Sequence, residues 1–440
     1  MTAPAAAQPD TRGIRFGPFW LTPGISRGNA VAYFVSAFMF VTLVTFVNFL
    51  QPYILDKVLH VPADQQGSVT GLLNFLQEGT ALLLMGLVGA ASDRTGRRVL
   101  CVVGLGIWAV GFALFPMAAA LPELYAYRFV IAVGTAVASV MVITTMQDYP
   151  QEVSRGKWGG TNSFITSFAI LLVALLLSRV PLMLEGAGYA PATAGRLTFW
   201  LGALLALLAA VVVAVGWHRG RLSAEAPHRS PFAGVTEGLR AARGNARLAL
   251  AYCAGFAARG DLVVIGSFYS LWFVRAGADQ GIGTGEALAR AGITLSALQV
   301  ATWIWAPLYG FLLDRMDRAR GLALAMALAA VGYAAIGMVD DPFDAWIAVP
   351  ATFILGIGEI SAVVAGNVLI GQEAPLRIRG AAIGLFSLFG TMGILSATLA
   401  GGYVFDAIAY TAPFSMMAAV NALVAVLAAV VCIRSYRRAS

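Results

Sequence analysis

The chain has 440 residues, of which 59% are hydrophobic and only 12% are charged, and its mean hydropathy is +0.79. Soluble domains carry about twice this charged fraction, so the composition excludes a set of soluble domains and indicates a polytopic membrane protein. The net charge of +7 would suggest a nucleic acid partner for a soluble protein. Here the basic residues lie between apolar segments, where they orient a membrane protein. We therefore expect no nucleic acid partner.

A helix that crosses a membrane needs about 20 mostly apolar residues, and segments of this kind fill most of the chain. The short alternating segments that are typical of a membrane β-barrel do not occur. The sequence therefore predicts an all-α polytopic membrane protein with twelve transmembrane helices. The predicted spans are residues 28–53, 67–91, 98–120, 122–147, 156–179, 196–216, 247–274, 288–312, 319–339, 344–370, 380–404 and 411–433.

The Lys and Arg residues at the ends of these spans and between them are divided unevenly, with twenty-two on one side of the membrane and five on the other. The richer side is expected to be cytoplasmic, and an even number of spans returns both termini to it. We predict cytoplasmic tails at residues 1–27 and 434–440, six-helix bundles at residues 28–216 and 247–433, and a basic cytoplasmic linker at residues 217–246. Part of the linker has the pattern of a short surface helix. The protein is thus predicted to lie in a bacterial inner membrane, and the sequence indicates no oligomeric state.

The cysteines and histidines show no arrangement that suggests chemistry. Cys101, Cys253 and Cys432 all fall in predicted spans, and the three histidines lie in loops without the spacing of metal ligands. No nucleotide-binding loop of the form G-x-x-x-x-G-K-[ST] occurs. We therefore expect no metal, no cofactor and no enzyme activity, since an enzyme acting on lipid would need a nucleophile or an acid–base constellation that these residues do not supply.

A short charged pattern occurs once in each half of the chain. The first copy reads G-x-x-x-D-R-x-G-R-R from Gly89 to Arg98, and the second reads G-x-x-x-D-R-x-D-R from Gly310 to Arg318. Their aspartates are 314 − 93 = 221 residues apart, and a second pair of loops, residues 147–160 and 372–384, repeats at 372 − 147 = 225. Because the loops recur on the same side of the membrane, the halves are predicted to be parallel repeats, an arrangement typical of transporters.

On these motifs the chain resembles the major facilitator superfamily over essentially its whole length. The loop from Gly89 to Arg98 is similar to the signature of that family between helices two and three, and Leu124-x-x-x-Arg128 resembles its fourth-helix motif. The fifth helix, from Trp158, lacks the G-x-x-x-G-P-x-x-G-G signature of the drug exporters in the family. The resemblance implies two six-helix bundles in which spans one, four, seven and ten line a central cavity.

The charged loops are candidates for a gate at the cytoplasmic side. Asp93 can oppose a helix N-terminus or pair with an arginine of a neighbouring helix. Gly89 and Gly310 would permit close helix approach, and Gly96 a tight turn. The resemblance implies that Asp93, Arg94 and Arg97 latch the gate, although the arginines could also serve only to orient the protein. The predicted gate residues are Gly89, Asp93, Arg94, Gly96 and Arg97 in the first half and Asp314 and Arg315 in the second.

Five ionisable residues fall well inside the predicted spans, namely Glu78, Arg128, Arg259, Asp261 and Glu359. A charge at this depth costs at least about 2.5 kcal/mol, so it normally faces the protein interior and has a partner. These residues, together with Asn48 in the first span, are the predicted substrate-binding or proton-coupling residues. Three acids and two bases nearly balance, which suggests that they pair.

Two of these charges lie in the first half. Glu78 has Gln299 as its repeat mate (299 − 78 = 221), and its carboxyl group could carry a proton or form an interhelical hydrogen bond. Arg128 points to the central cavity by the family resemblance, or else it extends outward to the membrane surface. The sequence leaves both pairs of alternatives open.

The other three charges lie in the second half. Residues two apart on a helix diverge by about 200°, so a regular helix cannot direct both Arg259 and Asp261 to one cavity. Either Gly260 breaks the helix, or one charge faces the solute while the other pairs with a neighbouring helix. Arg259 would suit a carboxylate or phosphate of the solute, whereas Asp261 and Glu359 are candidates to carry a proton.

The sequence therefore predicts a secondary active transporter that moves a small organic solute by alternating access. We expect coupling to protons, because no nucleotide-binding loop occurs, and two arginines in the spans favour an anionic metabolite. One alternative is an efflux antiporter for a drug or metabolite. An alternative of another class is a membrane sensor or scaffold that has the transporter fold but does not transport.

Overall fold

The structure is a computed structural model and describes residues 10, 12–220, 231–375 and 378–439, without the side chains of residues 93, 231–236 and 435–439. Within these residues twelve helices are long and apolar enough to cross a membrane, so the predicted all-α fold with twelve transmembrane helices is confirmed. The helices of the first half are α1 (Arg27–Lys57), α2 (Gln66–Thr95), α3 (Arg97–Leu114), α4 (Leu121–Asp148), α5 (Arg155–Leu175), α6 (Val180–Gly186) and α7 (Pro191–Gly216).

The second half begins with a short helix in the predicted linker and then has the same alternation of long helices and short loops. Its elements are α8 (Pro231–Gly244), α9 (Ala246–Asp279), α10 (Thr284–Asp314), α11 (Arg318–Gly337), α12 (Ala345–Glu373), α13 (Arg379–Ala407) and α14 (Ala412–Ala439). The fifth span of the structure contains α5 and α6, which a short 3-10 turn joins, and it runs to Gly186, beyond the predicted end at residue 179. Helix α8 is the short helix that the linker pattern predicts.

The helices pack into two compact units. Unit 1 contains the described parts of residues 1–48, 57–59 and 76–226, and unit 2 contains those of residues 49–56, 60–75 and 227–440. The end of α1 and the start of α2 therefore pack with the second half of the chain, which the predicted boundary at residue 216 did not anticipate.

Small residues allow the close helix crossings inside unit 1. Gly134 of α4 lies against α3, where an added Cβ would stand 2.5 Å from the backbone nitrogen of Trp108 and 2.7 Å from the carbonyl oxygen of Gly104. The neighbouring core is aromatic, with the rings of Phe46, Phe112 and Phe199 in edge contacts at 5.6–5.7 Å. Backbone contact at glycine is a common way to associate helices in a bilayer, where apolar side chains gain little from leaving lipid.

Glycines also allow close helix crossings in unit 2. A Cβ at Gly332 of α11 would stand 2.7 Å from the Cα atom of Leu355 in α12, and one at Gly402 of α13 would stand 2.6 Å from the carbonyl oxygen of Gly67 in α2. At this second crossing the Asp406 carboxylate accepts hydrogen bonds from the backbone N–H groups of Gly67 at 2.8 Å and of Ser68 at 2.6 Å. A side chain of α13 thus satisfies two of the free N–H groups at the start of α2.

The segment before α1 is folded rather than extended. It forms a hairpin of strands β1 (Arg15–Phe16) and β2 (Phe19–Trp20), followed by a bridge between Leu21 and Pro150. Gln151 joins this segment to the loop after α4, since its Nε2 donates to the carbonyl oxygens of Asp10 at 3.0 Å and Leu21 at 2.9 Å. The composition of residues 1–27 had suggested only a polar tail.

Candidate functional site

The two ionisable residues predicted inside the spans of unit 1, Arg128 of α4 and Glu78 of α2, lie together, with Arg128 fully buried and Glu78 partly buried. Arg128 is 0% exposed, and its Nη2 donates to Asn48 Oδ1 of α1 at 2.6 Å. Glu78 of α2 interacts electrostatically with the same guanidinium group. The structure therefore brings together three residues that the sequence nominated separately. It also excludes the alternative in which Arg128 extends outward to the membrane surface, because a side chain with no exposed area cannot reach it.

In unit 2, α9 remains helical through Gly260, so the alternative in which this glycine breaks the helix is wrong. Arg259 and Asp261 consequently point in different directions. Arg259 is exposed and lies along Gly390 of α13, whereas Asp261 is 0% exposed and its Oδ1 accepts a hydrogen bond from Asn421 Nδ2 at 2.8 Å. Of the second alternative, the structure bears out the part in which one charge meets a neighbouring helix, which is Asp261 with Asn421 of α14; that Arg259 faces the solute stays a prediction.

Glu359 of α12 is partly buried and interacts electrostatically with Asp261. Tyr333 of α11 is fully buried and faces the carboxyl group of Asp261. The sequence reading missed both Tyr333 and Asn421. A signal for Asn421 was present, because it is an isolated amide in an otherwise apolar last span, where an unsatisfied polar group is costly.

The expectation of two buried arginines holds only for Arg128. Arg259 is exposed and forms no ion pair within the described residues. The reason is the helical geometry itself, since placing Asp261 in the interior of unit 2 turns Arg259 away from it.

We call the end of each unit that carries a copy of the charged pattern its basic end. At the basic end of unit 1, Arg97 at the start of α3 forms an ion pair with Asp148 at the end of α4. Their side chains are 19% and 15% exposed, so the pair is largely shielded from water, and removing one partner would leave the other charge uncompensated. Gly96 has a φ of 87° in the turn between α2 and α3, as expected for a tight turn. Arg94 is exposed, and the side chain of Asp93 lies outside the described residues.

The predicted close helix approach at Gly89 and Gly310 is wrong for this structure. A Cβ atom added at either residue would meet no atom within 4 Å. Among the described residues, tight crossings at glycine lie elsewhere, for example at Gly134 and Gly402.

At the basic end of unit 2, where the second copy of the charged pattern lies, other residues join the helix ends. Asp317 stands where the first copy has Gly96 (317 − 96 = 221). It accepts a hydrogen bond from the backbone of Ala319 at 3.1 Å, which caps α11, and it pairs with Arg247 of α9 at 2.9 Å. Glu373, the repeat mate of Asp148 (373 − 148 = 225), lies 3.7 Å from the same arginine. Arg247, Asp317 and Glu373 thus form a network at this end.

The two gate residues predicted for the second half lie at the edge of this network. Asp314 is 78% exposed and pairs with Arg318 at 3.3 Å, and the guanidinium carbon of Arg315 stands 4.0 Å from the ring centroid of Phe311. The sequence reading chose the repeat mates of Asp93 and Arg94 and passed over Arg247 and Asp317. The second copy of the pattern has Asp317 where the first has Gly96, and this difference in the sequence indicated that the basic ends of the two units differ.

Twelve apolar helices, with parallel repeats of the charged loops and ionisable groups in their interior, define the fold of a secondary transporter. The chain matches the model of the Major Facilitator Superfamily over residues 31–361 and 281–440, and it belongs to this superfamily. Among solved structures it is similar to the nucleoside transporter NupG, with a TM-score of 0.70 and 14% identity over 92% of this chain and 99% of that one. It is also similar to a D-xylose-proton symporter, with a TM-score of 0.66 and 16% identity over 91% and 96% of the two chains.

Two curated relatives are similar in sequence. The chain is 27% identical to magnetosome protein MamH of Paramagnetospirillum magneticum over 401 residues, which are 88% of each protein. It is 26% identical to magnetosome protein MamZ of Magnetospirillum gryphiswaldense over 397 residues, which are 86% of this chain but 58% of MamZ. The chain therefore spans less than two thirds of MamZ. The solved structures show the fold alone at their level of identity, and they leave the solute undetermined.

Proposed function

We propose that this membrane protein is a proton-coupled secondary transporter that moves a small organic anion by alternating access. The observation that carries the proposal is the fully buried Arg128 in unit 1, together with its partly buried neighbours Asn48 and Glu78. A permanently charged guanidinium inside a membrane protein is costly, so it is retained where it serves binding or coupling.

The charge balance of this cluster suggests how protons and solute are coupled. An ionised Glu78 neutralises Arg128, whereas a protonated Glu78 leaves the positive charge of Arg128 uncompensated. A carboxylate of the solute then supplies the missing negative charge and accepts hydrogen bonds from the guanidinium. Proton binding and anion binding thus favour each other, which is the requirement for symport. Glu359 and Asp261 of unit 2 are the further candidates to carry the proton.

The ion pairs at the basic ends support a gating role in the same mechanism. Arg97 with Asp148, and Arg247 with Asp317, each join the ends of different helices within one unit. We propose that these pairs hold the helix ends in register while the solute path is closed on the cytoplasmic side, with both termini on that side of a bacterial inner membrane. The predicted latch residues Asp93, Arg94, Asp314 and Arg315 remain part of this proposal.

The test is uptake by the purified protein in proteoliposomes with an imposed pH gradient, against a panel of labelled organic acids, amines and sugars. We expect gradient-driven accumulation of an acid. Arg128→Met should weaken its apparent affinity by about 100-fold, since hydrogen bonds to a charged group contribute about 1.5–3 kcal/mol each. Glu78→Gln should retain exchange of solute across the membrane and lose its dependence on the pH gradient.

Arg155→Gln is the matched control for the arginine, because Arg155 lies on the surface beside Glu152 and has no place in the cluster. It should transport like the wild type. Loss of the pH dependence in Glu359→Gln or Asp261→Asn, with Glu78→Gln unaffected, would move the proton carrier to unit 2. If no acid is accumulated, or if Arg128→Met transports acids as well as the wild type does, the proposal is wrong.

A second candidate function is a sensor or scaffold that does not transport. It is favoured by one observation, namely that the curated relatives are named magnetosome proteins and not transporters. In that case none of the panel would be taken up by correctly folded protein, and the buried charges would be needed only for assembly. The same uptake experiment therefore separates the two candidates.

A further inference from the structure

Helix α8 lies in the predicted linker, and the turn that joins it to α9 fixes its direction. A single residue, Asn245, separates the two helices, and its backbone is extended (φ −132°, ψ 99°), so α8 does not continue along the axis of α9. The Asn245 side chain caps α9 by accepting hydrogen bonds from the backbone N–H groups of Arg247 and Leu248, and its Nδ2 donates to Glu373 Oε2 at 3.0 Å. Specific contacts therefore hold α8 in place on unit 2.

One face of α8 packs on unit 2 through small residues. A Cβ atom added at Gly238 would stand 3.1 Å from Leu385 Cδ2 of α13 and 3.5 Å from the hydroxyl oxygen of Tyr252 in α9. Ala241 and Ala242 pack against the buried core of unit 2. Because they follow Gly238 by three and four residues, all three lie on the same side of the helix.

The opposite face of α8 is exposed and positively charged. It carries Leu239, Arg240 and Arg243, and we call these three residues the free face of α8. The two arginines are three residues apart, which places their side chains next to each other. Neither arginine forms an ion pair within the described residues. The free face thus combines an apolar side chain with two positive charges that are not neutralised there.

The contacts of Gly238 place α8 near the ends of α9 and α13. Tyr252 and Leu385 each lie six residues after the start of their helix, which corresponds to about 9 Å along its axis. Helix α9 has 34 residues and is about 51 Å long, about 20 Å more than the hydrocarbon core of a bilayer. A centred α9 extends about 10 Å beyond the core at each end. Helix α8 therefore crosses α9 at the depth where lipid headgroups meet the acyl chains.

We propose that the free face of α8 binds the headgroups of anionic phospholipids at the basic end of unit 2. At this depth Leu239 can enter the acyl boundary while Arg240 and Arg243 contact headgroup phosphates, which guanidinium groups bind with paired hydrogen bonds. Anionic lipids also attract clustered basic residues at a membrane surface. The inference goes beyond the proposed function, since lipid binding requires neither a solute nor a coupling ion.

The test is hydrogen exchange, measured by mass spectrometry on the full-length protein in nanodiscs of phosphatidylcholine and in nanodiscs of an equal mixture with phosphatidylglycerol. Exchange in residues 237–244 should be slower in the mixed nanodiscs, because bound headgroups hold the helix closed. The difference should shrink as the salt concentration rises. Since each arginine near an anionic surface strengthens binding about five-fold, Arg240→Gln with Arg243→Gln should weaken it roughly 25-fold and abolish the difference.

Arg155→Gln with Arg320→Gln is the matched control, because both arginines are exposed at the basic ends, lie outside α8 and change the net charge equally. This variant should keep the difference in exchange. Leu239→Ser should reduce it and retain its dependence on salt, and all variants should elute like the wild type in size-exclusion chromatography. Equal exchange in the two kinds of nanodisc, or a difference that survives the loss of both arginines, would overturn the inference. The same protection by inorganic phosphate in phosphatidylcholine nanodiscs would also overturn it, because the ligand would then be a soluble anion.

Discussion

The contact between the segment before α1 and the loop after α4 gives a prediction whose size follows from the structure. The side chain of Gln151 makes three hydrogen bonds, accepting one from the backbone N–H of Asp10 at 2.9 Å and donating to the carbonyl oxygens of Asp10 and Leu21. Each such bond contributes about 1 kcal/mol net. Because Gln151 is partly exposed and water replaces some of the loss, we expect Gln151→Ala to destabilise this contact by about 2 kcal/mol.

A change of about 2 kcal/mol corresponds to an opening equilibrium that is roughly 30-fold more populated. Hydrogen exchange measured by mass spectrometry should therefore be roughly 30-fold faster in residues 12–25, where the backbone N–H of Thr22 donates to the carbonyl oxygen of Tyr149. Exchange within α3 should not change. Gln151→Glu, which keeps the acceptor and loses the donor, should fall between alanine and the wild type.

Gln280→Ala serves as the control, because Gln280 is also a surface glutamine but makes its side-chain hydrogen bond to Asp341 in unit 2. It should leave exchange in residues 12–25 unchanged. If Gln151→Ala also leaves the exchange of this segment unchanged, the three hydrogen bonds do not hold it, and the folding of residues 12–25 must be explained by the burial of Phe19 and Leu21.

Three further predictions concern the helix ends and crossings. Asp148→Arg should lower the melting temperature, because the new arginine repels Arg97. The double variant Arg97→Asp with Asp148→Arg should recover most of the loss. Equal melting temperatures of the single and the double variant would contradict the ion pair. Asp406→Ala should speed hydrogen exchange at the start of α2 by about 10-fold or more, because two hydrogen bonds to a carboxylate are lost, whereas exchange that matches the wild type would deny the contact. Gly134→Val should prevent folding, as seen by size-exclusion chromatography, since overpacking at a backbone contact costs about 3 kcal/mol or more. Gly89→Val is the control and should fold normally. A folded Gly134→Val protein would show that the two helices at this crossing can separate.

The two units hold their ionisable side chains in different ways. In unit 1 the guanidinium group of Arg128 lies beside the amide of Asn48 and interacts with the carboxyl group of Glu78, and the proposed coupling of an anion to a proton depends on these side chains. In unit 2 the carboxyl group of Asp261 is held by the amide of Asn421.

Hydropathy determined the twelve helices, and the loop charges and loop motifs led to the predictions of a basic linker and a parallel repeat. These are local properties, because a backbone in lipid must satisfy its own hydrogen bonds and a basic loop is retained on one side of the membrane. The ionisable residues in the spans could also be identified from the sequence, since the free-energy cost of a charge in a membrane depends on its depth.

Only the tertiary structure decided which of these residues meet. The sequence could not choose between a broken and a regular α9, because Gly260 permits both, and it is the packing on α13 and α14 that keeps the helix intact and turns Asp261 toward Asn421. The folded segment before α1 depends on Gln151, about 140 residues away in the chain. Such contacts join residues that no local pattern relates, because their energy arises only after the helices have been brought together.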